Sequence, residues 1–134
     1  MTWPAILHPV ALVPGSERTD LWNSLWSLWF FQDSVWAGDL PLSMNLLDFP
    51  RESVFQIADP LNGFLAVLLV PALGLSAAYT AIVLGHLVFS GVGAHLLARM
   101  LHCSERAGWV AGVGFACAPV LVSGVHNGTS ETFA

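Results

Sequence analysis

Polar and apolar positions divide the chain into two unlike halves. Residues 61–98 contain no Asp, Glu, Lys or Arg, and residues 107–130 contain none either. Within the first run, residues 77–98 are long enough at ~1.5 Å rise per residue to cross a ~30 Å hydrocarbon layer. Arg99 and Arg106 lie between the two runs. The pattern predicts a membrane hairpin: a transmembrane helix over 77–98, a turn over 99–106 and a second transmembrane helix over 107–126. Basic turns usually face the cytoplasm, which places this turn there. Residues 61–75 are apolar but interrupted by Pro71, and the stretch before Gly74 spans only ~20 Å as a helix. They are expected to form a short interfacial or re-entrant helix and not a full crossing.

The first half reads differently. Pro4, Pro9 and Pro14 make residues 1–15 a proline-rich lead-in, because proline breaks a helix interior. Ser16 is a suitable N-cap, with Glu17 and Asp20 in a first turn where carboxylates suit the helix dipole. A helix is predicted over 17–37. Trp22, Trp26 and Trp29, with Leu21, Leu25 and Leu28 beside them, form its expected apolar face. Asp20, Asn23, Ser24 and Ser27 form a narrower polar stripe. This is the pattern of an amphipathic helix at a membrane interface, and five of the six tryptophans precede residue 37. Residues 38–60 form a loop carrying Asp39, Asp48, Glu52 and Asp59. Residues 16–60 are therefore expected outside the cytoplasm, as are residues 127–134, an outer turn.

These elements give an all-α membrane protein of interfacial amphipathic helices plus two transmembrane helices. Ser90, Ala94 and Ala98 in one span, and Gly108, Gly112 and Ala116 in the other, recur four residues apart, a spacing that lets helices approach closely in lipid. Pro119 is expected to kink the second span. Such packing faces suit a fragment of a larger polytopic bundle, whose remaining helices would be partners along with the lipid bilayer.

Composition reinforces the membrane reading. Only 10% of residues are charged, 55% are hydrophobic and lysine is absent, whereas a soluble domain is about a quarter charged. A net charge of −5, with no basic patch, gives no basis for a nucleic-acid partner. Cys103 and Cys117 fall at different depths, so neither a disulfide nor a metal pair is expected. No metal site is assigned.

Candidate chemistry is sparse. Asp20 heads the amphipathic helix, where a carboxylate can act as a general base or simply complement the helix N-terminus. Asp59, before Pro60, can hold a polar group of a substrate or start the next helix. His126, Asn127 and Glu131 emerge on the outer side assigned to Asp20 and Asp59, and that convergence is the one constellation the chain offers. His86 and His95 lie nine residues apart, about 180° around a helix at ~100° per residue, so they cannot share a ligand. Each is expected to bond to a neighbouring helix. Asn127-Gly128-Thr129 matches an N-glycosylation sequon.

The order of parts also resembles a known family. An acidic outer helix begins Glu17-Arg18-Thr19-Asp20-Leu21-Trp22. A loop ends in Asp59-Pro60-Leu61-Asn62 before a short apolar helix, and a span closes with Leu96-Leu97-Ala98-Arg99. This resembles the early region of the GT-C superfamily of integral membrane glycosyltransferases, which includes protein mannosyltransferases and aminoarabinose transferases. The resemblance implies an N-terminal portion of such an enzyme in a bacterial plasma membrane. It implies a polyprenyl-phosphate-linked sugar as donor and an extracytoplasmic acceptor, and leaves a divalent metal open. It makes Asp20 the catalytic carboxylate, with Glu17 as alternative, and Asp59, His126, Asn127 and Glu131 substrate-binding. The family carries a span before the outer loop and many after it, whereas here a proline-broken fifteen-residue lead-in precedes the outer loop and two spans follow it. The other class of function is a non-catalytic membrane subunit or transporter fragment that packs with partner helices.

Overall fold

The computed structural model describes residues 7–8, 12–16, 18, 20–44, 53–54 and 59–128. Five helices dominate: α1 (Leu21–Ala37), α2 (Pro60–Leu73), α3 (Leu75–Met100), α4 (Glu105–Ala116) and α5 (Pro119–Asn127). Two two-residue strands, β1 (Ser43–Met44) and β2 (Ser53–Val54), pair antiparallel between α1 and α2. The expected loop at 38–60 thus contains a short ladder. Leu75–Met100 and the nearly continuous Glu105–Asn127 are both long and apolar enough to cross a membrane. Their apolar windows are only 11% and 28% buried, so neither resembles the core helix of a soluble domain. Val88, Phe89, Val92, Val110, Val113 and Val120 all point outward.

The helices fold back on one another in two hairpins. Gly74, at φ +80°, separates α2 from α3, a left-handed backbone that glycine adopts without a Cβ penalty. Asn62 and His86 are each twelve residues from Gly74 and are hydrogen-bonded to each other, which fixes α2 and α3 as antiparallel neighbours. The second hairpin turns at residues 101–104. There the amide of Cys103 donates to the Ala98 carbonyl at 3.1 Å, and an Arg99 Nη1 donates to the Cys103 carbonyl at 3.0 Å. Ser104 then caps α4, its hydroxyl accepting from the Ala107 amide at 3.3 Å, so α4 starts at Glu105 and not at 107.

Gly108, Gly112 and Ala116 do form the α4 face against α3. A Cβ on Gly112 would lie 2.7 Å from the Gly91 carbonyl oxygen, and one on Gly91 would lie 3.2 Å from the Ala116 Cβ. On α3, however, the facing row is Gly91, His95 and Arg99, one residue along from Ser90, Ala94 and Ala98. Period-four spacing fits both rows, and only the twist of the real hairpin selects between them. Pro119 does more than kink the last span. It has no N–H, and the residue before it, Ala118, sits at φ −58°, ψ 138°, the extended region that a following proline enforces. The helix therefore breaks into α4 and α5.

α1 begins four residues later than expected. Ser16 Oγ accepts from the Arg18 amide at 3.4 Å, a local turn. The Asp20 amide leaves the helix pattern to donate to the Asn127 carbonyl at 3.2 Å. The inward face of α1 is also not the tryptophan face. Leu21, Leu25, Leu28 and Phe31 are buried, with Ser24 and Ser34 among them, while Trp22, Trp29 and Trp36 are exposed. A Cβ on Gly63 would lie 2.5 Å from the Phe31 ring, so the α1–α2 seam is close-packed around that phenyl group. Leu21, Leu25 and Leu28 meet Ala66, Tyr79, Ile82, Val83 and Val125 in a single core.

Candidate functional site

The two ends of α1 hold different polar groups. At its start, Asp20 and Asn127 are joined through their backbones, and Ser24 Oγ donates to the Gly128 carbonyl at 2.6 Å. Gly128 is at φ +70°, and a Cβ there would meet Leu21 Cα at 2.6 Å. Glycine is needed on both counts. The Asp20 side chain makes no cap hydrogen bond and is exposed. His126 is exposed at the end of α5 and borders a hollow of about 610 Å³ that is also lined by Gly15, Leu87, Cys117 and Ser123. The structure thus brings Asp20 and Asn127 together, with His126 next in the chain. Glu17 and Glu131 lie outside the described residues.

Asp59 does not join them. The first turn of α2 packs beside Phe31, whose ring meets Phe64 edge-on at 5.2 Å. Phe31 is eleven residues beyond Asp20, or ~16 Å along a helix. Asp59 belongs instead to a second group of polar side chains inside the bundle. Its Oδ1 accepts from the Asn62 amide at 3.1 Å, capping α2 ahead of Pro60, which suits the first helical position. Its Oδ2 accepts from Asn62 Nδ2, and Asn62 Oδ1 lies 2.6 Å from His86 Nε2. Asn62 is fully buried and Asp59 is 8% exposed.

In this placement the Asn62 NH₂ donates to the acid and its carbonyl faces the ring, and a carbonyl only accepts. His86 therefore donates from Nε2. Beyond His86 runs an apolar groove of about 460 Å³ between α2 and α3, lined by Leu65, Leu69, Ile82, Gly85 and Phe89. The expectation that His86 bonds to a neighbouring helix holds in this form. His95 does otherwise. Its ring lies 4.7 Å from that of Trp109 on α4, and its buried Nδ1 has no hydrogen-bond partner. Gly108 packs against that nitrogen, where even a Cβ would come within 3.0 Å.

Sequence reading passed over Asn62 because an isolated asparagine in an apolar helix gives no chemical signal. The signal was positional: residues 62 and 86 are equidistant from Gly74, so a tight hairpin there must bring them level. Among the described residues, no group of three or more His, Cys, Asp or Glu side chains is placed to hold a metal ion. No family model matches the sequence, and neither a curated protein nor a solved structure is significantly similar to it.

Proposed function

We propose that the chain is a membrane-embedded part of a glycosyltransferase that moves a sugar from a polyprenyl-phosphate donor to an acceptor at the Asp20 end of the bundle. The observation that carries this reading is the state of Asp20. An aspartate at a helix start ordinarily caps it, yet here the backbone is held by Asn127 while the carboxylate stays exposed and makes no cap bond. A carboxylate anchored through its backbone and free at its side chain can take a proton from an acceptor hydroxyl. Asn127 and His126 stand beside it to bind polar groups of the substrates. The lipid setting is supported by the outward apolar surface of α3 to α5, which would be costly in water over two such helices. In this reading the sugar transfer occurs on the side opposite the Arg99–Arg106 turn. Asp20→Asn in the complete enzyme should reduce transfer of a radiolabelled sugar from a polyprenyl-phosphate donor by at least 100-fold, of the order expected for a lost general base, with membrane insertion unchanged. Unaltered turnover would rule out Asp20 as the base.

A second reading, a non-catalytic membrane subunit or transporter fragment, is favoured by the backbone contact of Gly91 with Gly112. Close approach through small residues is how helices associate in lipid. It predicts that assembly with partner helices depends on Gly112 and ignores Asp20.

A further inference from the structure

The α3–α4 hairpin carries a groove of about 270 Å³ on its outer surface. Its floor is the contact of Gly91 with Gly112, where two backbones meet with no side chain between them. Val88, Val92 and His95 of α3 form one wall, and Trp109 and Val113 of α4 form the other. Nearly all of the lining is apolar. The four valine and tryptophan side chains are exposed, so the groove opens outward, onto lipid in the membrane reading of these helices. It has room for part of one acyl chain.

Both walls run to an arginine. Val88, Val92, His95 and Arg99 follow at steps of four, three and four residues. Arg106, Trp109, Val113 and Ala116 follow at steps of three, four and three. Each series keeps to one face of its helix, and α3 ends where α4 begins, so both arginines stand at one mouth of the groove. Arg99 lies against α4 there: a Cβ on Gly108 would be 3.3 Å from its Cδ. One Nη of Arg99 serves the Cys103 carbonyl, which leaves most of its donors for a ligand. Both arginines are exposed. Glu105, next to Arg106, is the sole acid in residues 60–130, so the mouth has an excess of positive charge.

His95 lies four residues inside Arg99, or ~6 Å along the helix. Its Nδ1 is buried against Gly108 without a hydrogen-bond partner. That leaves Nε2 as the ring's group for a ligand in the groove. A glycerophospholipid carries its ester carbonyls just inside its phosphate. Guanidinium groups at the mouth, a hydrogen-bonding ring ~6 Å below and an apolar trough beyond it match phosphate, ester and acyl chain in that order. A zwitterionic headgroup would bring a cation of its own to the arginines, whereas a net anionic one would not.

We infer that the groove between α3 and α4 binds an anionic glycerophospholipid. Its acyl chain lies along Val88, Val92 and Val113, an ester carbonyl meets His95, and its phosphate meets Arg99 and Arg106. The site does not involve Asp20, so neither this inference nor the transferase reading falls with the other.

The test reconstitutes the full chain in nanodiscs of phosphatidylcholine and phosphatidylglycerol in equal amounts. Native mass spectrometry then counts the lipids that stay with the protein when the disc is released. The expected result is one retained phosphatidylglycerol, preferred over phosphatidylcholine roughly 20-fold, at about fivefold for each arginine near an anionic lipid. Arg106→Gln, at an exposed position that leaves the Arg99–Cys103 bond in place, should reduce the preference about fivefold. Arg18→Gln, ahead of α1, should leave it unchanged. Val113→Trp fills the groove and should lower retention of both lipids at unchanged helix content by circular dichroism; should it fail to fold, Arg106→Gln decides alone. Equal retention of the two lipids would overturn the proposal, as would a preference that survives Arg106→Gln or falls equally with Arg18→Gln. Chain dimers without bound lipid would also overturn it, and would give the groove to a helix of a second copy.

Discussion

On one side of α3, Gly91 approaches Gly112 of α4 so closely that an added Cβ would lie 2.7 Å from a carbonyl oxygen. On the other side, His86 reaches Asn62 of α2 through a 2.6 Å hydrogen bond. The first seam holds because side chains are missing, and its energy is van der Waals contact between backbones. The second holds through polar side chains whose desolvation must be met by good geometry. The two seams should therefore fail differently. Added bulk should break the glycine seam and leave its neighbours alone. Deleted polar atoms should weaken the polar seam without any change of shape.

The largest expected effect is at Gly112. Gly112→Leu puts a side chain into a backbone that cannot retreat, and should cost about 3 kcal/mol or more by the measure of overpacked cores. It should separate α3 from α4 in a disulfide-crosslinking assay across that seam. Gly114, two residues on, has open space where its Cβ would be. Gly114→Ala should leave unfolding unchanged to within about 1 kcal/mol, and an equal loss at both positions would remove the distinction between faces of α4.

Next in size is Gly128→Ala. It combines a left-handed φ with overlap of Leu21 Cα and N, and should cost about 2 kcal/mol in unfolding from detergent micelles. Because Gly128 also accepts from Ser24, α1 should lose amide-exchange protection at its start first. Asn62→Leu is smaller. It keeps the volume of the seam but strips Asp59 and His86 of their shared partner, and should cost about 1–3 kcal/mol. Restoration by Asn62→Gln would be poor, since the longer side chain cannot meet both Asp59 Oδ2 and His86 Nε2 from the same backbone position. Full rescue would show that shape and not the bridge matters there.

Much of this arrangement is legible in the sequence. The uncharged runs mark the long helices, the period-four Gly and Ala row marks the correct face of α4, and Asp59-Pro60 marks the start of α2. Element ends shift where tertiary contacts take over local groups. Asp20 gives its amide to Asn127, so α1 starts at Leu21 and not at 17. The sorting of Leu from Trp on α1 was hidden, because both are apolar and a periodicity count weighs them alike.

Hydrophobic periodicity and proline position, both local properties, were enough to locate the helices and a disruption at Pro119, but not the helix ends or the full break there. Which residue of α3 meets Gly112, which aromatic rings turn inward, and that Asp59 serves an internal trio apart from Asp20 were decided only by the tertiary structure. Each of these depends on the register of one helix against another. Register is set by steric fit at Gly63, Gly91 and Gly112 and by the turn at Gly74, and no single helix contains that information.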